Sequence, residues 1–238
     1  MHVNTPLVEL IDAGIEFPGV RVSDISFNVT RGEFVCLYGP TGSGKTLALN
    51  MIAGLMRPHT GRVMVAGDCI NTFSDRQMML VRRTMGIMRQ ELLLLNDRTV
   101  LENVMLPALA AEESYGEAHR RAMRALENCG IADLASLSPQ GLSAGQKQIA
   151  CLARAIVNQP AVVLADEPCA HLDLENAQLL MDLLGNVSLW GTSVIVASHL
   201  EIRPNTVAVR AIELAGPRTV EAHEFDGSGD PWSMQGGV

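Results

Sequence analysis

The fold of this chain is decided by the stretch Gly39-Pro40-Thr41-Gly42-Ser43-Gly44-Lys45-Thr46. It matches the pattern G-x-x-x-x-G-K-[ST] and lies between an apolar segment, residues 33–38, and a helical pattern from 45 to about 55. Glycines let successive backbone N–H groups point inward at phosphate oxygens, and the helix start adds the positive end of its dipole. The stretch therefore predicts a nucleotide-binding phosphate loop, without separating kinases, GTPases and transport ATPases.

Strand and helix patterns alternate on both sides of this loop. Apolar strands are predicted at 62–65, 161–165 and 193–197, and helices at 75–84, 99–111, 115–129, 143–157 and 174–187. The alternation predicts an α/β fold with a mostly parallel sheet and a helical subdomain inserted at about 92–158. Strand-like alternation between 7 and 29 predicts an N-terminal antiparallel β subdomain. We expect one domain over 1–225 and a flexible tail over 226–238.

Composition narrows the class of protein. The net charge is −8 and no dense Lys/Arg run occurs, which argues against a nucleic-acid groove. Five scattered cysteines without a C-x-x-C pair favour reduced core thiols over disulfides or a zinc site. We expect no signal peptide and no membrane-spanning segment, and hence a cytoplasmic protein that another chain must hold at a membrane.

Two carboxylates stand where a metal-assisted reaction needs them. Asp166 and Glu167 end the apolar strand 161–165. Asp166 and the hydroxyl of Thr46 are expected to hold Mg²⁺, and Glu167 to polarise an attacking water. Lys45 is expected to bridge the β- and γ-phosphates.

Four elements downstream of the phosphate loop resemble those of ATP-binding-cassette (ABC) ATPases, in the order that family has them. They are Gln90, the segment Leu142-Ser143-Ala144-Gly145-Gln146, the strand ending in Asp166-Glu167 with Asp173 after it, and His199. The resemblance covers about residues 7–215. It implies that Gln90 ligates Mg²⁺ and senses a membrane partner, and that His199 contacts the γ-phosphate.

The same resemblance implies a dimer with two ATP molecules between the subunits. Ser143, Ala144, Gly145 and Gln146 would then close the partner's ATP site, with Asp173 in the adjoining loop, in a homodimer or a heterodimer with a related chain. Phe17 stands near the place of the family's adenine-stacking aromatic, although core packing is an alternative for it.

The chain departs from the family pattern at several positions. The segment 142–146 resembles the family's signature, LSGGQ, but Ala144 replaces its first glycine. Arg89 replaces an apolar or aromatic residue before Gln90, and Leu200 replaces an aspartate after His199. The loop Cys169-Ala170-His171 lacks the usual Thr-Gly-Asn. We therefore expect slow but real hydrolysis, with a non-hydrolysing, ATP-switched scaffold as the alternative.

Within the family, the segment Asp97-Arg98-Thr99-Val100 and the stretch from Ala153 to Pro168 resemble cell-division ATPases of the FtsE type. Lipoprotein-release and macrolide-export ATPases have similar sequences in these segments and remain alternatives. An FtsE-like chain would drive an FtsX-like membrane protein that activates cell-wall hydrolysis without transporting a substrate. Leu92 to Leu95, with Met78, Met79, Met85 and Met88, are candidates for the docking groove, with core packing as the alternative.

Overall fold

The computed structural model describes residues 5–17, 20–199, 202–214 and 216, and the side chains of residues 17, 20 and 21 lie outside this description. Within these ranges the chain forms a five-stranded parallel sheet and a four-stranded antiparallel sheet. The strands are β1 (Val8–Phe17), β2 (Val20–Val29), β3 (Phe34–Tyr38), β4 (Thr60–Val65), β5 (Asp68–Cys69), β6 (Met85–Met88), β7 (Val162–Asp166), β8 (Ser193–Ala197) and β9 (Arg210–Glu213). The helices are α1 (Lys45–Ile52), α2 (Asp75–Arg82), α3 (Val100–Ala110), α4 (Tyr115–Asn128), α5 (Ala144–Ile156) and α6 (Leu174–Leu189).

The parallel sheet has the strand order β6-β7-β8-β3-β9 and is buried on both faces. Alternate residues of β7 show this, because Val163 and Ala165 pack with α3 to α6 while Val162 and Leu164 pack with α1 and the antiparallel sheet. Strands covered on both sides read as continuous apolar runs, which is why β3, β6, β7 and β8 were recognisable in the sequence.

The antiparallel sheet has the order β2-β1-β4-β5 and covers the α1 side. The predicted fold class, a parallel core with an antiparallel β subdomain and additional helices, is confirmed. Helices α3, α4 and α5 follow one another between β6 and β7, where the insertion was predicted; its limits at 92 and 158 stay a prediction. The predicted tail, 226–238, lies outside the described residues.

Two strands were not predicted. β5 has only two residues, and β9 carries charged residues at both ends, so neither produces an apolar run. Arg210 of β9 is neutralised by an ion pair with Glu33, which precedes β3, and this contact lets a charged residue begin a strand at the sheet edge. The expectation of free thiols agrees with the structure, where Cys36, Cys129, Cys151 and Cys169 are buried and unpaired. Burial raises the pKa of the Cys36 thiol to about 12.

Candidate functional site

The phosphate loop connects the carboxyl end of β3 to the start of α1. Gly39, Gly42 and Gly44 all have positive φ, and a side chain at Gly39 would lie 2.3 Å from the carbonyl oxygen of Leu214. A Cβ on Gly42 would meet no atom within 4 Å. Glycine is required at Gly39 by both its conformation and its surroundings.

Lys45 is the charged centre of this loop. Its side chain is buried, and Nζ donates to the carbonyl oxygens of Gly39 at 2.7 Å and Pro40 at 3.1 Å. An ammonium has three donors, so two hold the loop closed and one remains for a ligand. Beside it, Ser43 Oγ is buried without a hydrogen-bond partner among the described residues, as expected of a group whose partner is a bound anion.

Thr46 and Asp166 meet at the start of α1 and the end of β7. The Thr46 hydroxyl donates to Asp166 Oδ1 at 3.0 Å. Burial raises the pKa of the Asp166 carboxyl, while the hydrogen bond from Thr46 acts in the opposite direction. A hydroxyl and a partly desolvated carboxylate at this distance form an oxygen donor pair that suits Mg²⁺.

Glu167 and His199 form the second pair of the site. Glu167 adopts φ +47°, uncommon for a residue other than glycine, and its N–H donates to the carbonyl oxygen of Ala197 at 2.8 Å. This places its carboxylate Oε2 2.8 Å from His199 Nδ1. The side chain of Glu167 is only 14% exposed and that of His199 is 55% exposed. The pair therefore extends from the carboxyl ends of β7 and β8 to the solvent.

The signature segment lies at the start of α5. Ser143 is the N-cap, and a capping box joins its hydroxyl to Gln146 N at 3.2 Å and its N–H to Gln146 Oε1 at 2.9 Å. Ser143 and Ala144 are exposed, whereas Gly145 is buried against Asn176 of α6. No hydrogen bond or ion pair within the described part of the chain connects Ser143 or Ala144 to the phosphate loop.

Gln90 is exposed in the loop after β6, and no hydrogen bond joins it to Asp166 among the described residues. Its neighbour Arg89 instead lines a cavity of about 40 Å³ together with Thr46 and Asp166. Asp173 is the N-cap of α6, where its carboxylate accepts hydrogen bonds from the backbone and side chain of Asn176, and these lower its pKa. The side chain of Phe17 and all of Leu200 lie outside the described residues.

Comparison with known protein families matches residues 22–170 to the ABC transporter family. The chain belongs to this family. This ABC protein is 37% identical over 175 residues to the cell division ATP-binding protein FtsE of Escherichia coli, covering 74% of this chain and 79% of the relative. It is 38% identical over 182 residues to the lipoprotein-releasing system ATP-binding protein LolD of Bacteroides thetaiotaomicron, covering 74% and 82%.

Solved structures agree with the sequence relatives. The dimeric bacterial ABC transporter cassette MJ0796 superposes with a TM-score of 0.78 at 29% identity, covering 90% of this chain and 98% of that one. A second structure of MJ0796, a post-hydrolysis state bound to ADP and phosphate, gives a TM-score of 0.76. The predicted ABC-type ATPase is thereby confirmed: this chain is an ABC ATPase. No helix in the described ranges is long and apolar enough to cross a membrane.

Two side chains of the site region were missed by sequence reasoning. Arg154 of α5 donates to the carbonyl oxygens of Leu92 at 2.6 Å and Leu93 at 2.8 Å, which connects the signature helix to the loop after Gln90. Asn103 is fully buried and holds the same loop through Leu95, accepting from its N–H and donating to its carbonyl oxygen. The buried polar Asn within a helical apolar pattern was the available signal; Arg154 gave none.

Proposed function

We propose that this chain is the ATP-hydrolysing subunit of an FtsE–FtsX-like complex at the inner membrane, in which ATP-driven dimerisation moves a membrane partner that regulates cell-wall hydrolysis. The observation that carries the hydrolytic part is the contact of Glu167 with His199 beside the Thr46–Asp166 pair. The cell-division part is supported by the FtsE relatives and by the segment Asp97-Arg98-Thr99-Val100, in which Thr99 caps α3.

The phosphate loop holds the nucleotide by its backbone and Lys45. The donor of Nζ that is not used by Gly39 or Pro40 reaches the β- and γ-phosphates, and the backbone N–H groups of the loop donate to the phosphate oxygens. Phe17, at the end of β1, stacks on adenine. Stacking of a base on an aromatic ring contributes about 1–3 kcal/mol by analogy with nucleic-acid complexes.

Thr46 and Asp166 would hold Mg²⁺, with Gln90 as the third ligand that the family resemblance implies. When bound, the ion would neutralise negative charge on the phosphate chain. The fit rests on the chemistry of the donor set, in which a hydroxyl and a carboxylate oxygen are 3.0 Å apart at the start of α1. A cation offsets the cost of keeping Asp166 ionised in a partly buried position.

Glu167 positions and deprotonates the attacking water. As the water oxygen bonds to the γ-phosphorus, the bond to the β-phosphate oxygen breaks and the water proton passes to the Glu167 carboxylate. His199, 2.8 Å from that carboxylate, orients it and contacts the γ-phosphate.

The exposed signature serves the ATP of a second copy. Ser143, Ala144, Gly145 and Gln146 present the N-terminal end of α5 to that phosphate, with Asp173 nearby at the start of α6. The methyl of Ala144 separates the backbone from the phosphate, which slows turnover without removing any hydrolytic residue.

The membrane partner docks in a groove beside β6. A cavity of about 320 Å³ is lined by residues of α2, β6, α3 and α5, namely Met79, Arg82, Met85, Ile87, Pro107 and Arg154. Of the predicted docking residues, Met79, Leu93 and Leu95 are exposed, whereas Met78, Met85 and Met88 are buried. Flexible methionine and exposed leucine next to arginines suit an amphipathic helix.

Co-purification tests the docking. The chain is expressed with an FtsX-like four-helix membrane protein or with the membrane component of a lipoprotein-release system, and each complex is isolated in detergent. We expect the FtsX-like protein to be retained by wild type and lost with Met79→Glu or Leu93→Glu. The matched control is Leu189→Glu, an equally exposed leucine at the end of α6, which should retain it.

Retention of only the lipoprotein-release component would replace the cell-division proposal with the LolD-type alternative, which the 38% identical LolD relative favours. Equal retention by all three leucine and methionine variants would overturn the proposed groove.

A further inference from the structure

Arg89 directly follows β6, at the edge of the sheet where Asp166 ends β7. The two strands run parallel, and Met88 pairs in register with Ala165, so residues 89 and 166 come next to each other at the carboxyl ends of the strands. Thr46 is the second residue of α1, which packs against this end of the sheet. The side chains of Arg89, Asp166 and Thr46 line one small cavity of about 40 Å³.

The guanidinium of Arg89 has no hydrogen bond or ion pair with any described residue, and the side chain is exposed. An arginine carries five N–H donors in a fixed plane, and here they remain available to a ligand. The ammonium of Lys45, by contrast, already donates to the carbonyl oxygens of Gly39 and Pro40. Arg89 therefore offers more donors to a bound phosphate than Lys45 does.

The charges around Asp166 show that Arg89 acts on the proposed metal site. Burial raises the pKa of the Asp166 carboxyl, and the neighbouring Glu167 carboxylate adds to this. The hydrogen bond from Thr46 and the positive charges of Lys45 and Arg89 act in the opposite direction. Two cations thus adjoin two carboxylates before any ligand binds, and a triphosphate adds several negative charges to this balance.

We propose that Arg89 binds the phosphate chain of ATP when no metal is present, and that its charge weakens the binding of Mg²⁺ at Thr46 and Asp166. The inference rests on the proposed binding of ATP at the phosphate loop. A cation held by Thr46 and Asp166 would adjoin the same cavity as the guanidinium, and like charges repel at short range. An apolar or aromatic residue, which the family has at this position, would have neither effect.

This assignment makes a statement about the coupling between the two ligands. Coupling is reciprocal, so a residue that favours ATP without metal and disfavours the metal reduces the gain in ATP affinity that Mg²⁺ provides. The ratio of the ATP dissociation constants without and with Mg²⁺ should therefore be smaller in wild type than in a protein that lacks the Arg89 charge. A side chain that only supports the local fold would change both constants by the same factor.

Calorimetric titration with ATP, in EDTA and in excess Mg²⁺, measures this ratio. Arg89→Met keeps a long side chain and removes its charge. We expect its ATP affinity in EDTA to fall about threefold to fivefold, as for one exposed charge pair, and its affinity in Mg²⁺ not to fall. Higher salt should reduce the difference in EDTA, because it screens exposed charges. Arg89→Lys restores the charge and should keep the ratio close to that of wild type.

Arg31→Met is the matched control, because Arg31 is an exposed arginine three residues before β3 and therefore at the opposite end of the parallel strands. It removes the same charge from the chain and should leave both affinities unchanged. An equal loss of ATP affinity in EDTA and in Mg²⁺ for Arg89→Met, or wild-type affinity in both, would overturn the inference. Failure of the proposed nucleotide site would look different, because wild type itself would then bind no ATP in Mg²⁺.

Discussion

At the scale of single residues, Asp166 shows the conflict between stability and function. Burial raises the pKa of its carboxyl, so in the nucleotide-free protein the ionised form is disfavoured relative to the unfolded chain. The native state then holds more protons than the unfolded state between the two pKa values, and the contribution of Asp166 to stability falls as pH rises through that window.

Asp166→Asn should therefore raise the Tm of the nucleotide-free, Mg²⁺-free protein at pH 8. Asparagine keeps an oxygen that accepts from Thr46, and each kcal/mol gained raises Tm by about 2–4 °C in a chain of this size. The difference from wild type should shrink as pH is lowered, because Asp166 then becomes neutral too. Scanning calorimetry from pH 8 down to about pH 4, close to the ordinary pKa of an aspartate, measures this; a lower Tm of the variant at pH 8 would show that the carboxylate stabilises the apoprotein.

At the level of single elements, the start of α5 matters most, because its first helical residue, Ala144, is exposed. Ala144→Gly removes the methyl from the face proposed to approach the second ATP. We expect turnover to rise about threefold to tenfold, which corresponds to roughly 0.7–1.4 kcal/mol of barrier. Glycine also weakens a helix by about 0.5–1 kcal/mol relative to alanine, so Tm should fall slightly.

Phosphate release under saturating ATP measures the turnover of this variant. Ala144→Ser is the matched control, since serine retains a Cβ and should stay as slow as wild type. Unchanged turnover in Ala144→Gly would mean that the methyl does not limit hydrolysis.

The sequence predicted elements that are marked by a pattern within a few consecutive residues. It did not predict contacts between segments that are far apart in the chain. The glycine spacing of residues 39–44 and the apolar run ending in Asp166 each identify themselves within a few residues, so the loop and β7 were found. The bonds from Arg154 to the loop after Gln90 span 61 residues or more, and the bond of His59 to Glu16 spans 43. Arg154 and His59 are polar residues in ordinary patterns, so only the folded chain reveals their partners. For Gln90 the family motif identified the residue, but nothing in the sequence showed that it lies exposed in the loop after β6.

At the scale of the whole molecule, the chain has one complete phosphate loop and, separate from it, an exposed signature segment at the start of α5. This arrangement suits a head-to-tail dimer, in which the signature segment of each copy closes the ATP site of the other. With a net charge of −8, two copies repel each other, so nucleotide and Mg²⁺ are expected to hold them together.

Glu167→Gln should stop hydrolysis while leaving the phosphate loop intact, and the dimer should then persist. Light scattering coupled to size-exclusion chromatography should show the Glu167→Gln protein as a dimer in ATP and Mg²⁺ and as a monomer in ADP. Adding Ser143→Arg to Glu167→Gln puts a bulky cation at the exposed N-cap of α5 and should return the protein to a monomer in ATP, with ATP affinity retained through Lys45. A Glu167→Gln protein that stays monomeric in ATP, or a dimer that survives Ser143→Arg, would contradict a signature that acts across the subunit interface.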